Sequence, residues 1–271
     1  MITNKKGIEK MKTKYLMKLM SSTIYASLVM GILAGTPLEV QAETARGEGA
    51  STDLDAKKPI IYGVPTSPFS FKVLVALAEK NLDFTLIETL PVKAAKGKGQ
   101  TPSPEFLEAS PLGKIPALRW GDFSTADSSV IVAYLDRKTP GNPLYPSQPE
   151  DFAKTLWFEK YGDEVVASVV HHKILFEKIV KPKLFGKPTD QAILDQAITQ
   201  ELPEILNYLD KELSGKKWII GNQFTAADID IGNHLVSLKQ CGVDISAEKW
   251  PNVVRYTQDL FARDSFKKNM A

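Results

Sequence analysis

The 271-residue chain has one cysteine, Cys241, and three histidines. A lone thiol cannot close an internal disulfide or form a dithiol redox pair, and there is no Cys/His cluster at the spacing of a zinc site. Net charge of one sign is also scarce. Residues 1–42 hold six lysines against two acids, so the remainder carries 28 basic and 30 acidic side chains, a net of −2. That leaves no electrostatic footprint for nucleic acid. The apolar stretch Ile24 to Gly35 falls well short of the roughly 20 residues a spanning helix needs, so no stable membrane anchor is expected. Internal repeats and low-complexity tracts are absent. What is present is an ordinary globular composition, 43% hydrophobic and 24% charged, with enough chain for one large domain or two modest ones.

The first 42 residues read as an export signal. Lys10, Lys12, Lys14 and Lys18 precede the apolar stretch, and Val40-Gln41-Ala42 ends in small residues at the spacing a signal peptidase accepts. Cleavage after Ala42 predicts a periplasmic or secreted protein; the alternative is an extension on a cytoplasmic one. Residues 43–58 read as a flexible, polar lead-in.

From Pro59 the pattern turns to α/β. Ile60-Ile61-Tyr62 is a β-prone run, Ser67-Pro68 opens a helix through about Lys80, and Phe84 to Glu88 returns as a second strand, which makes a βαβ unit. Val92 to Ser103 reads as a solvated loop. Pro104-Glu105-Phe106-Leu107 begins a short helix, Lys114-Ile115-Pro116-Ala117-Leu118 leads into a strand, and Trp120-Gly121-Asp122-Phe123 is a hairpin turn. The Ile115-Pro116 bond, at the start of a strand, is a candidate for the cis isomer. Asp127-Ser128 precedes a helix, and Thr139 to Pro143 is a linker. Helical stretches follow at about Ser147–Val180, Asp190–Ser214, Ala226–Cys241 and Val253–Phe261, the third opened by a capping box at Thr225 and Asp228. The expected fold is therefore an α/β domain over 59–138, in the order βαβ, β-hairpin, α, followed by an all-helical bundle over 147–267.

Three local features bear on chemistry. Ser67 stands where a hydroxyl joins the unsatisfied N–H groups of a helix start, a place that suits an anion such as a bound thiolate; Ser70 is a weaker candidate. Ser128 with its N–H can hold a carboxylate, and Asp127 can pair with an ammonium group. A cis proline after Ile115 would turn the Ile115 backbone outward to pair with an extended ligand. Each feature is also what ordinary helix capping or turn chemistry produces, but together they point to one peptide-like ligand.

The segments Ile61-Tyr62-Gly63, Ser67-Pro68-Phe69-Ser70-Phe71-Lys72-Val73, Pro104-Glu105-Phe106, Pro111 to Pro116, Asp127-Ser128 and Phe224 to Asp228 resemble, in order and spacing over residues 59 to 265, the cytosolic glutathione transferase superfamily. The resemblance implies a serine-type, bacterial-like enzyme that conjugates the glutathione thiolate to a small apolar electrophile, a detoxification chemistry. Glutathione is then a co-substrate, with no other cofactor and no metal. Ser67 would contact the sulfur, Ile115 and Pro116 the cysteinyl backbone, and Asp127 with Ser128 the γ-glutamyl end. Lys114 and Gln100 are the available contacts for the glycyl end, because the basic or imidazole side chain often found before Pro104 is missing. Trp157 and Tyr161 are candidates for the apolar wall of the second-substrate pocket, although helical spacing equally suits core packing. His171-His172 reads as a helix-surface pair. With no cysteine in the first loop, thiol-disulfide exchange is disfavoured. The resemblance also implies a two-fold homodimer. The rival readings are glutathione-dependent isomerisation or peroxide reduction, and a non-catalytic module that binds glutathione or a protein on the same fold.

Overall fold

Ile60–Gly63 (β1) and Thr85–Glu88 (β2) pair in parallel, linked by helix α1 (Pro68–Glu79), in a computed structural model that describes residues 58–270. The expected signal segment 1–42 and all of the lead-in but Lys58 lie outside the described residues. Pro68 occupies the first helical position, where its missing N–H costs nothing and its fixed φ suits the helix. Asn81, at φ 52°, turns the chain out of the helix. Ala117–Trp120 (β3) lies antiparallel to β1, and Phe123–Ala126 (β4) antiparallel to β3, giving the order β2-β1-β3-β4. The expected two-residue turn joins β3 and β4, with Gly121 at φ 62° in the first central position, where a type II′ hairpin places glycine.

Strand alternation separates two cores. Ile61 and Leu118 face α1 and the main apolar cluster, whereas Tyr62 and Ala117 face a smaller one with Phe106, whose ring centroid is 5.9 Å from that of Tyr62. Phe106 belongs to a short helix, α3 (Pro104–Ala109), capped by Ser103. Preceding it, residues expected as a solvated loop instead begin with helix α2 (Val92–Gly97). Its Ala95 is buried, and the Val92 amide donates to the Gly113 carbonyl (2.9 Å), so this segment is anchored to the turn before Ile115. Its Lys93 and Lys96 are exposed, the polar pattern that in sequence reads as a solvated loop. Helix α4 (Ser128–Lys138) closes the sheet half.

The rest is helical. Helical backbone runs unbroken over residues 149–185 (α5), with wider π turns at Gly162–Val166 and Val170–Val180. It is followed by 191–212 (α6), Ala226–Gln240 (α7), Pro251–Ala262 (α8) and Asp264–Met270 (α9). The sequence did not suggest α9, which is short and lysine-rich; its apolar anchor is Phe266, fully buried against Phe71 of α1. Sheet half and helical half belong to one compact unit. Two helices form its centre: residues Ser70 to Leu77 of α1 and Ala226 to Leu238 of α7 are all buried. Asp228 caps α7 from within, accepting from the backbone of Thr225 (2.8 Å) and Ile219 (2.9 Å) and from the Tyr256 hydroxyl (3.0 Å). A bidentate pair from Arg263 to Glu79 (2.8 and 2.6 Å) ties the C-terminal helices to α1. Among the described residues no helix is long and apolar enough to cross a membrane.

Candidate functional site

Ser67 is the N-cap of α1 and is half-buried. Its Oγ accepts one long hydrogen bond, from the Ser70 amide at 3.5 Å, and its hydroxyl proton goes to no group among the described residues. A donor is thus free beside the positive end of a twelve-residue helix. Ser70 is different. It is fully buried, its Oγ has no partner, and it lies so close to Gly63 that any side chain there would collide with it. That hydroxyl faces the sheet, which removes Ser70 as a second candidate for the same anion.

The Ile115-Pro116 bond is cis, as expected. Neither the N–H nor the carbonyl of Ile115 joins a backbone hydrogen bond among the described residues. Just before it, the Ser110 hydroxyl accepts from the Lys114 amide (3.0 Å) and donates to the Lys114 carbonyl (2.7 Å), which fixes the backbone at Lys114 and leaves its side chain exposed. Gln100 is also exposed, at the end of the segment anchored through Val92 and Gly113.

Asp127 caps α4: its Oδ1 accepts from the amides of Ser129 (3.1 Å) and Val130 (3.3 Å). It does so at φ 81°, a backbone region that favours glycine, and such outliers concentrate at functional sites. Oδ2 is left over. Ser128, directly after it, is 4% exposed.

Beneath these two helix starts lies a charge cluster that sequence reading missed. Lys72 of α1 is fully buried; its Nζ is 2.6 Å from Ser129 Oγ on α4, 3.2 Å from Asp163 on α5 and 3.0 Å from Asp230 on α7. Burial works against the Lys72 charge, but the carboxylates of Asp230 and Asp163 outweigh it and hold its pKa above the ordinary lysine value. Burial pushes Asp230 upward against the pull of Lys72. The signal was present as a lysine within the apolar run Phe71-Lys72-Val73-Leu74 and as acids within Ala227-Asp228-Ile229-Asp230-Ile231. A charge with no polar face around it requires a buried partner.

The expected surface pair separates. His172 is exposed, but His171 is 6% exposed, stacked on His234 (centroids 4.4 Å) with the edge of Phe69 at 5.3 Å. Burial takes its pKa down to about 3 and that of His234 well below the ordinary value, so both rings are neutral. Trp157 and Tyr161 are together, but elsewhere: they stack on each other, Trp157 Nε1 donates to Tyr208 of α6 (3.2 Å), and Tyr161 meets the Tyr208 ring at 5.0 Å. Glu159 and Asp163, on the opposite side of α5, are the residues directed toward the Lys72 cluster. Trp157 and Tyr161 thus pack against Tyr208 of α6. Among the described residues there is no group of three or more His, Cys, Asp or Glu side chains placed to hold a metal ion.

A βαβ unit, a cis-proline hairpin and a capping helix, followed by a helical bundle, define the class: a thioredoxin-like domain joined to an all-α domain. The chain belongs to the glutathione S-transferase family. Residues 61–143 match its N-terminal domain and residues 168–264 its C-terminal domain. It is 30% identical to glutathione S-transferase 3 of Zea mays, over 78% of this chain and 92% of that protein. It is 26% identical to the maleylacetoacetate isomerase of Rattus norvegicus, over 79% and 93%. The crystal structure of glutathione transferase F7 from Populus trichocarpa superposes with a TM-score of 0.68 at 27% identity, covering 78% of this chain and 97% of that one. These relatives are of the cytosolic type, which overturns the expectation of a periplasmic or secreted protein.

Proposed function

We propose that the protein binds glutathione and conjugates its thiolate to a small apolar electrophile, with 59–138 as the glutathione-binding domain and 147–267 as the domain that supplies the second substrate. The observation that carries this reading is the uncommitted Ser67 hydroxyl at the start of α1. The glutathione thiol loses its proton to solvent, and the resulting thiolate accepts the Ser67 O–H and lies in the field of the helix end; both lower the thiol pKa. The sulfur lone pair then forms the new bond to the electrophilic carbon as the leaving group or π electrons depart. Ile115 presents its free N–H and carbonyl to the cysteinyl backbone beside Pro116, Asp127 Oδ2 faces the γ-glutamyl ammonium, and Ser128 faces its carboxylate. Lys114 and Gln100 are the contacts for the glycyl carboxylate.

The ultraviolet absorbance of bound glutathione thiolate, titrated with pH on wild type and Ser67→Ala, tests this. The expected result is ionisation well below the pKa of free glutathione, reversed by the substitution. Glutathione that binds without ionising would favour the non-catalytic module, whereas no binding would sink the reading altogether. A second reading, glutathione-dependent isomerisation, is supported by the similarity to maleylacetoacetate isomerase; it uses the same thiolate on another substrate, and turnover without consumption of glutathione would select it. We further infer a two-fold homodimer, which sedimentation of the purified chain would contradict by showing monomer alone.

A further inference from the structure

The first turn of α4 contains a residue to which the glutathione reading gives no task. Ser129 follows Asp127-Ser128 directly, and its backbone N–H donates to Asp127 Oδ1 (3.1 Å), so it helps to fix that carboxylate. Its side chain points the other way, into the interior. There Ser129 Oγ receives Lys72 Nζ at 2.6 Å and donates to Asp163 Oδ2 at 2.6 Å. Lys72 stands on α1, five residues after Ser67, and is held in turn by Asp230 of α7 at 3.0 Å. The helix start that carries Ser67 and the one that carries Asp127-Ser128 are therefore joined through one hydroxyl, and the same hydroxyl fastens both to α5.

We propose that Ser129 is a positioning residue for ligand recognition: its hydroxyl, clasped between Lys72 and Asp163, sets the first turn of α4 at a fixed separation from Ser67, and thereby tunes the site to a ligand long enough to span both. The proposal rests on the glutathione reading above. Hydrogen bonds to charged partners are the short, strong ones, and this partly buried hydroxyl makes two of them, one to the fully buried Lys72 and one to Asp163. Alanine at 129 leaves Lys72 one acceptor short and Asp163 one donor short. The ion pair remains, because Lys72 keeps its direct contacts to Asp163 and Asp230. What is lost is the tether of α4, whose N-cap already sits at φ 81° and so holds its geometry only under constraint.

A ligand that reaches only Ser67 and Ile115 does not sense that separation, and this supplies the test. Dissociation constants for glutathione and for the dipeptide cysteinylglycine, which lacks the γ-glutamyl group, are measured by calorimetry on wild type, Ser129→Ala, Ser129→Thr and Asp163→Asn. The expected pattern is a loss of about tenfold in glutathione affinity for Ser129→Ala, the scale of a lost hydrogen bond to a charged group, with cysteinylglycine unchanged within a factor of about two. Ser129→Thr keeps the hydroxyl and restores glutathione binding. Asp163→Asn, acting on the same hydroxyl from α5, weakens glutathione in the same selective way. Equal weakening of both ligands in Ser129→Ala, or of neither, overturns the proposal and reduces Ser129 to a packing role. A wild type that does not prefer glutathione over cysteinylglycine overturns instead the underlying assignment of Asp127-Ser128, and the proposal with it.

Discussion

Gly162 of α5 lies against Asp230 of α7: a methyl group on Gly162 would overlap Asp230 Oδ2 and stand 3.3 Å from His234 Nε2. Elsewhere on a helix, glycine to alanine is worth up to about 1 kcal/mol of added stability. Here the contact decides the sign. Asp230 is fully buried and held by Lys72 at 3.0 Å, so it cannot retreat without loosening that pair. Overpacking of this kind costs about 1–3 kcal/mol and sometimes more. Gly162→Ala should therefore lower the midpoint of urea unfolding by the equivalent of about 2 kcal/mol. An unchanged or higher midpoint would mean that α5 and α7 can move apart freely.

Two buried groups should give opposite pH dependences. Burial drives the pKa of His171 from 6.5 down to about 3. The unfolded chain takes up this proton near pH 6.5 and the folded one does not, so stability is present above 6.5 and is lost as pH falls, by about 1.4 kcal/mol per unit. Glu159, which accepts from the Tyr145 hydroxyl at 2.9 Å, is pushed by burial from 4.5 up to about 7. Its unfolded carboxyl ionises first, so stability is present below 4.5 and is lost as pH rises to about 7. His171→Gln should gain most on wild type at pH 5, and Glu159→Gln should gain most at pH 8. Melting temperatures at the two pH values check this; profiles parallel to wild type for both variants would contradict it.

Much of this architecture can be read in the chain because it depends on neighbours in sequence. Ile61 and Tyr62 point to opposite faces of the sheet through alternation alone. Ser67-Pro68, Ser103-Pro104 and Thr225 to Asp228 mark helix starts with groups that bond within three residues. The Gly121 turn and the cis bond before Pro116 are likewise local. What could not be read is decided by distant partners. Lys72 finds Asp163 and Asp230 from α5 and α7, and nothing in the spacing of Phe71-Lys72-Val73 says which acids will arrive. Trp157 and Tyr161 stack on one another, as helical periodicity, which shows which residues share a face, leads one to expect. Periodicity does not say what that face meets, and it meets Tyr208 of α6. His171 reads as surface in a stretch with His172 and Lys173, yet the wide π turn over Val170–Val180 and the contact with α7 bury it. Helix α2 was hidden by its lysines.

Ser67 and Ser70 should separate cleanly, although both lie in the first turn region of α1. Replacing Ser70 by alanine removes a fully buried hydroxyl that has no partner. The amide that donates to Ser67 Oγ stays in place, so the cap survives. Losing an unsatisfied buried group is neutral or stabilising, by up to about 1 kcal/mol. Conjugation and thiolate ionisation should be unchanged. Ser67→Ala acts in the opposite direction on both measures. It deletes the N-cap acceptor, at a cost of about 1 kcal/mol, and on the function proposed above it also removes the donor to the thiolate. Donors aimed at a developing or bound anion are worth about 100-fold in rate when removed, so kcat/KM for conjugation should fall by about that factor. The two variants thus cross: one holds activity while stability holds or rises, and the other loses both. If Ser70→Ala abolished ionisation and Ser67→Ala retained it, the sulfur would lie on the sheet side of the turn, where the structure places Gly63 against Ser70 and leaves no side-chain room.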